Sequence, residues 1–84
     1  MFYVYAIYSH KDHRIYVGMT SDIEKRLKEH NSGRTASTKS YIPWTLFYHE
    51  AFITRKEART REKYFKSGIG KERLKEKLFR IINI

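Results

Sequence analysis

The first nineteen residues contain two short runs of β-branched and aromatic residues, separated by a polar segment. The runs span residues 2–8 and 14–19, and the segment between them includes SHKD. Residues of these types fit a pleated strand, and a short polar connection between two such runs is typical of a β-hairpin. A hairpin alone is only marginally stable in water. The sequence therefore predicts an antiparallel hairpin that the rest of the chain must cover.

The turn length predicts how the two strands pair. If SHKD is a four-residue turn, Tyr5 lies opposite Tyr16. Tyr3 then lies opposite Gly18, where the missing side chain leaves room beside the tyrosine pair. Side chains alternate between the faces of a sheet, so Tyr8 points to the other face. The pair is open to two interpretations, which are core packing and a shared chemical site.

A helix and a third strand are predicted after the hairpin. Ser21 can cap a helix and Glu24 can complete a capping box, so the helix should run from there to about Asn31. The polar stretch NSGRTASTKSYIP ends at Pro43 and predicts a loop of a length usually kept for binding or mobility. The segment WTLFYHEAF then supplies the third strand.

Two further helices complete the predicted fold. Thr54 and Glu57 repeat the capping-box signal, and this second helix should stop near Ser67 and Gly68. A third helix should begin at about Lys71 and place four apolar residues on one stripe, namely Leu74, Leu78, Ile81 and Ile82. The prediction is one α+β domain over residues 1–84, with a small three-stranded antiparallel sheet flanked by about three helices.

Composition limits the possible function classes. The chain has 84 residues and no cysteine, which leaves one small core and excludes disulfides and thiolate zinc sites. It shows no signal-peptide pattern and no run of about 20 apolar residues, so we expect a cytoplasmic protein without a membrane partner. Eighteen Lys and Arg against nine Asp and Glu give a net charge of +9. This charge favours a nucleic acid partner, although it could serve solubility alone.

Polar residues interrupt two helical stripes that should face the core. In the first helix the inward spacing selects Ile23, Arg26, Leu27 and His30, and in the second helix it selects Ala58, Glu62 and Phe65. Burying an unpaired charge costs several kcal/mol. One explanation is an ion pair between Arg26 and Glu62, or side chains that reach solvent at the core margin. The other is a polar cleft into which the tyrosine hydroxyls open, as a phosphodiesterase site would require.

The order and spacing of these residues resemble the GIY-YIG endonucleases. Tyr3-Val4-Tyr5 matches the first motif of that family and Tyr16-Val17-Gly18 matches the second, with Arg26 about ten residues later. The helix text DIEKRLKEHNSG and the later REKYFK are similar to small single-domain members that resemble the N-terminal incision domain of UvrC. The resemblance runs from Phe2 to about Leu78. The chain departs from the family at Tyr3, where the first motif has glycine. It also lacks the later asparagine of larger members, because Asn83 lies too far along.

The resemblance implies a metal-dependent endonuclease that hydrolyses nucleic-acid phosphodiester bonds, with DNA favoured over RNA. One divalent cation, Mg²⁺ or Mn²⁺, would bind chiefly to Glu62. Arg26 would stabilise the charge that grows on the phosphate oxygens. Tyr16 is the favoured general base, with Tyr5 orienting the water or the phosphate. His30 would contact the phosphate or assist proton transfer, unless its role is only structural.

The polar loop offers a second set of candidate residues. Arg34, Thr38 and Lys39 could hold the strand being cut, although a solvated flexible loop would have the same composition. The competing function is a basic nucleic-acid-binding module of the same fold without useful hydrolysis. The sequence identifies no protein partner.

Overall fold

The computed structural model describes residues 1–82, so Asn83 lies outside the described residues. It forms a three-stranded antiparallel sheet in the order β2-β1-β3, with three α-helices packed around it. The strands are β1 Phe2–Ser9, β2 Ile15–Thr20 and β3 Trp44–Phe52. The helices are α1 Ile23–Asn31, α2 Arg55–Lys66 and α3 Gly68–Ile82, with a short 3₁₀ turn at Lys39–Tyr41. The predicted fold class is confirmed. Among residues 1–82, no helix is both long enough and apolar enough to cross a membrane.

The central strand β1 is buried on both faces. Val4 and Ala6 pack into a cluster with residues of α2 and α3, which include Ala58, Phe65 and Leu74. Tyr5 and Ile7 point the other way and pack with Trp44, beside α1 residues Ile23 and Leu27. Because apolar residues occupy both sets of alternate positions in β1, helices can cover the sheet from two sides. Any site built around Tyr5 therefore lies on the α1 side.

The hairpin register differs from the prediction by two residues. Tyr5 lies opposite Gly18, and Tyr16 lies opposite Ile7. The predicted pairing of Tyr5 with Tyr16 is therefore wrong, as is that of Tyr3 with Gly18. A shift of two residues preserves which face each side chain occupies. Tyr5 and Tyr16 accordingly still share a face, as diagonal neighbours.

The cause of this shift is the position of the turn. The amide of Ser9 donates to the carbonyl of Arg14 at 3.0 Å, so Ser9 pairs with the opposite strand instead of turning. The turn consists of residues 10–13, and His13 adopts the left-handed conformation with φ 61°. Histidine reaches this conformation more often than bulky or β-branched residues do, but the sequence offered no glycine to mark it.

Two helix boundaries also differ from the predictions. The N-cap of α1 is Asp22, whose carboxylate accepts the amide of Lys25 at 3.1 Å, so the prediction of Ser21 is wrong. Thr54 is confirmed as the cap of α2 and accepts the amide of Glu57 at 3.2 Å. The third helix begins at Gly68 instead of Lys71, which leaves Ser67 alone between α2 and α3.

The junction between α2 and α3 requires a small residue. A Cβ atom on Gly70 would lie 2.0 Å from the carbonyl oxygen of Tyr64, so only glycine allows this close approach. Of the predicted α3 stripe, Leu74 and Leu78 are buried. The other two members, Ile81 and Ile82, are 46% and 38% exposed.

Candidate active site

The position of Tyr5 depends on Gly18 across the hairpin. A Cβ atom on Gly18 would lie 2.5 Å from the Tyr5 hydroxyl, so the tyrosine ring occupies the space that the glycine leaves. Tyr5 is only 3% exposed. The expectation that its hydroxyl opens into a solvent-filled cleft is therefore wrong. Burial raises the pKa of Tyr5 to about 12, although its hydrogen bond to Arg26 acts in the opposite direction.

A chain of buried hydrogen bonds begins at this hydroxyl. Tyr5 Oη lies 2.8 Å from His30 Nε2, and His30 Nδ1 lies 2.8 Å from Thr38 Oγ1. The Thr38 hydroxyl donates its single proton to the carbonyl of Thr35 at 3.4 Å. His30 must then donate from Nδ1 and accept at Nε2, which assigns its tautomer from the hydrogen-bond pattern. We refer to Tyr5, His30 and Thr38 as the buried relay.

The central histidine of the buried relay is uncharged at neutral pH. His30 is fully buried, and burial together with the charge of Arg26 lowers its pKa to about 4. The side chain therefore cannot contact a substrate phosphate directly in this conformation, so the expected phosphate contact is not formed by His30. It supports the Tyr5 hydroxyl instead.

Arg26 links α1 to both the loop and the tyrosines. Its Nη1 donates to Glu29 Oε1 at 3.1 Å and to Thr35 Oγ1 at 3.3 Å. Partial burial lowers the pKa of Arg26, but hydrogen bonds to Glu29 and Tyr5 outweigh this effect and raise it overall. A guanidinium has five N–H donors, so these bonds leave donors for a further anion. A cavity of about 330 Å³ lies beside Arg26 at the start of α1.

Tyr16 and Glu62 lie within electrostatic range of the same hydroxyl. Both carry negative charge when ionised, and both act to raise the pKa of Tyr5, after burial as the main cause. The Tyr16 ring is half-buried, with its centroid 5.0 Å from that of His30 and 6.3 Å from that of Trp44. Thus His30 contacts the Tyr5 hydroxyl, and Arg26, Tyr16 and Glu62 lie within electrostatic range of it.

The ion pairs of Arg26 and Glu62 reject the predicted ion pair between these two residues, whereas both side chains do reach solvent, at 31% and 16% exposure. Arg26 pairs with Glu29, three residues along α1. Glu62 Oε2 lies 3.4 Å from Lys66 Nζ, one turn along α2, and the Glu62 side chain is 16% exposed. An ion pair between Arg26 and Glu62 is therefore not formed. Tyr8 lies outside the site, as expected, with its ring centroid 5.8 Å from that of Phe47 on the other face of the sheet.

The three residues predicted in the polar loop separate into two groups. Arg34 and Lys39 are exposed. Thr38 is fully buried, so the expectation that its side chain holds the substrate strand is not met in this conformation. The indole of Trp44 donates to the carbonyl of Thr38 at 2.9 Å and so fixes the loop against β3.

Sequence reasoning missed the structural role of Asn31. Its amide brackets the backbone of Trp44, with Nδ2 donating to the carbonyl at 3.0 Å and Oδ1 accepting the amide at 2.6 Å. The bracket fixes the end of α1 against the start of β3 and so helps to hold His30 in place. An asparagine before a polar loop resembles any helix end, so the sequence carried no signal for this contact.

The donor set allows a magnesium-type ion but no dedicated metal cage. Residues 1–82 contain no group of three His, Asp or Glu side chains that could hold a metal ion. Glu62 is a single, partly exposed carboxylate near the tyrosines. Mg²⁺ typically binds through one or two carboxylates and completes its coordination with water and substrate phosphates. Glu62 therefore fits such an ion once the Lys66 ammonium moves away from the carboxylate.

Comparisons with known proteins find a matching domain profile, similar sequences and a similar fold. Residues 1–75 match the sequence profile of the GIY-YIG catalytic domain. A UPF0213 protein of Bacillus licheniformis is 46% identical over 74 residues, covering 84% of this chain and 75% of that protein. A UPF0213 protein of Clostridium perfringens is 41% identical over 75 residues, covering 88% and 80%. The solution NMR structure of a UPF0213 protein of Bacillus halodurans matches with a TM-score of 0.54 and 35% identity, covering 90% of this chain and 84% of that one.

Proposed function

Because the chain belongs to the GIY-YIG catalytic-domain family, we propose that it is a divalent-metal-dependent endonuclease acting on nucleic acid, with DNA favoured over RNA. The observation that carries this proposal is that Arg26, Tyr16 and Glu62 all lie within electrostatic range of the Tyr5 hydroxyl. These groups combine a phosphate clamp, a proton acceptor and a carboxylate for a hard cation. The net charge of +9 favours a polyanionic substrate.

Arg26 binds the scissile phosphate in this proposal. Its contacts with Glu29 and Thr35 hold the guanidinium in one orientation before substrate arrives. A preorganised cation stabilises charge on the phosphate oxygens without reorganisation during the reaction. Arginine is suited to this task because its planar donors match two phosphate oxygens at once.

Tyr16 is the general base and Tyr5 is the orienting tyrosine. Burial holds the pKa of Tyr5 at about 12 and its hydroxyl is bonded to a neutral histidine, so Tyr5 keeps its proton. Tyr16 is half-buried, less so than Tyr5, and lies within electrostatic range of the Arg26 guanidinium. It accepts the proton of the attacking water, while Tyr5 positions Arg26.

Glu62 would hold Mg²⁺ or Mn²⁺ in the loaded enzyme. Such an ion supplies Lewis-acid stabilisation of the charge on the phosphate and on the departing oxygen. The carboxylate also needs a counter-charge when no ion is bound, and Lys66 provides it at 3.4 Å.

The same ion pair favours one alternative function, a nucleic-acid-binding module without useful hydrolysis. If Lys66 stayed paired with Glu62 during substrate binding, the carboxylate would be unable to bind a metal cation. The basic surface would then still attract nucleic acid.

The test is incubation of the protein with end-labelled single-stranded and duplex DNA and RNA, with Mg²⁺, Mn²⁺ or a chelator. The endonuclease proposal expects internal cuts that need the divalent ion and disappear with chelator. Binding without cuts in every combination would support the binding module. Absence of both binding and cuts would overturn both functions.

A further inference from the structure

The exposed surface of α2 has an uneven distribution of charge. Five cations lie on this helix and are exposed, namely Arg55, Lys56, Arg59, Lys63 and Lys66. Successive residues of an α-helix are about 100° apart around the axis. Taking the buried Phe65 as zero, the five cations fall between about 80° and 180° on one side. Glu62, at about 60° on that same side, lies between them and the core.

The opposite side of α2 has a different character. It carries Thr60, Glu57, Tyr64 and Arg61. Arg61 is neutralised by Glu50, with its Nε 2.7 Å from Oε1, and Glu57 is held by the N-cap Thr54. The cations are therefore not spread evenly over a solvated helix, as they would be if they served solubility alone. They are gathered on the side that leads to Glu62.

Most of these cations have no carboxylate partner within the described chain. Within residues 1–82, the one ion pair formed by these five cations joins Lys66 to Glu62. The Arg55 guanidinium lies 5.7 Å from the centroid of the Phe2 ring. Lys56, Arg59 and Lys63 make no ion pair there. Uncompensated like charges on one helix face repel one another, and a bound polyanion would remove that repulsion.

We propose that Arg55, Lys56, Arg59, Lys63 and Lys66, together called the α2 basic face, bind the phosphate backbone of the nucleic acid strand that enters the active site at Glu62. This inference rests on the proposed function, because it supplies the path by which the substrate reaches the site. It names a surface separate from the loop residues Arg34 and Lys39.

The dimensions of the α2 basic face fit a short length of backbone. From Lys56 to Lys66 the helix rises about 15 Å, at about 1.5 Å per residue. One strand of duplex DNA has a phosphate every 3.4 Å or so along the axis, so the face spans roughly four to five nucleotides. Glu62 lies within one turn of the Lys66 end. The scissile phosphate therefore belongs at that end, with the bound strand running toward Lys56.

Nucleic acid fits this face better than an anionic membrane does. A helix that binds a membrane surface inserts an apolar face beside its cations. Of the apolar residues of α2, Ala58 and Phe65 are buried in the core, and the half-buried Tyr64 lies on the side opposite the cations, at about −100°. The contacts are to phosphates and carry no base readout, so binding should be independent of sequence.

The test compares two triple variants that remove equal charge. The first is Lys56→Gln, Arg59→Gln and Lys63→Gln on the α2 basic face. The matched control is Arg73→Gln, Lys75→Gln and Arg80→Gln, three exposed cations of α3. Affinity for a labelled duplex oligonucleotide is measured by fluorescence anisotropy in chelator, from roughly 50 to 300 mM salt. Glutamine is a good helix former, and circular dichroism confirms that each variant is folded.

The α2 variant should bind roughly tenfold or more weakly than wild type, and its slope of log affinity against log salt should fall by about 2 to 3. The α3 variant should keep most of the slope. The charge-conserving variant Lys56→Arg, Arg59→Lys and Lys63→Arg should restore it. Equal effects of the α2 and α3 variants would overturn the α2 basic face.

Failure of this inference is distinguishable from failure of the proposed function. Binding in chelator does not require cleavage, so a wild type that binds through α2 but never cuts refutes the endonuclease alone. If the wild type cuts and the α2 variant binds as tightly as the α3 control variant, the α2 basic face alone is refuted. A wild type that binds no nucleic acid refutes both.

Discussion

Replacing Thr38 with valine tests the buried relay. The change keeps the β-branched shape and removes only the hydroxyl that lies 2.8 Å from His30 Nδ1. His30 is fully buried, so water cannot replace the lost acceptor without opening the structure. An unsatisfied buried donor costs about 1–3 kcal/mol. The bond from Thr38 to the carbonyl of Thr35 is long, at 3.4 Å, and adds little. We therefore expect the free energy of unfolding to fall by about 1–3 kcal/mol.

Urea unfolding measures that loss, and nitrogen NMR of His30 separates the relay from general packing. In wild type, Nδ1 should carry the proton and Nε2 should accept from Tyr5. Thr38→Ser keeps the hydroxyl and should preserve this tautomer, although loss of one buried methyl should cost about 1 kcal/mol. Thr38→Val should change the nitrogen shifts of His30. A valine variant with wild-type stability and unchanged histidine signals would refute the relay.

Two further predictions concern the relay and the glycine beside it. Burial holds the pKa of His30 at about 4, compared with 6.5 for an ordinary histidine, so between these values the unfolded chain binds a proton that the folded chain does not. The free energy of unfolding should therefore decrease as pH falls from 6.5 to 4, by up to roughly 3 kcal/mol. The measurement is urea unfolding at several pH values. His30→Gln should lose this pH dependence of stability, whereas His49→Gln, a change at an exposed histidine, should keep it. Equal pH profiles for the two variants would contradict the assignment of this dependence to His30. Gly18→Ala places a Cβ 2.5 Å from the Tyr5 hydroxyl and should lower the free energy of unfolding in urea by about 1–3 kcal/mol. The control Gly68→Ala adds a Cβ with no atom within 4 Å and should leave this free energy unchanged. Equal unfolding midpoints for the two variants would show that Tyr5 does not need the space at Gly18.

Periodicity accounts for the parts of the fold that were predictable. Alternation in the hairpin placed Tyr5 and Tyr16 on one face, and that result survived a register error because the shift was an even number of residues. The inward stripe of α2 was also readable, since Ala58 and Phe65 are buried and Glu62 lies beside them. Such patterns depend on which face is covered and not on where a turn begins.

The errors arose where several residues could perform the same local task. Ser21 and Asp22 are both good N-caps, and adjacent candidates cannot be ranked without the backbone geometry. The apolar stripe of α3 extends to the end of the helix, although Leu74 and Leu78 are buried and Ile81 and Ile82 are exposed.

The site itself was only partly readable from sequence. Arg26, His30 and Glu62 were visible because they break apolar stripes. The burial of Thr38 was not visible, because a threonine in a polar loop looks solvated until the loop folds back over α1 and β3. The same tertiary contact converts His30 from a candidate phosphate ligand into a support for Tyr5.

The most direct measurement of the central claim is cleavage by Glu62→Gln, with unfolding and nucleic-acid binding measured on the same preparation. The variant loses an ion pair with Lys66 that is worth less than about 0.5 kcal/mol, so it should stay folded. Metal-dependent cleavage should fall by orders of magnitude, because a neutral amide is a poor ligand for a hard cation. Binding in chelator should stay level or tighten, and Glu72→Gln, an exposed control on α3, should cut normally. A folded Glu62→Gln protein that cuts at the wild-type rate would contradict the metal assignment on which the proposed function depends.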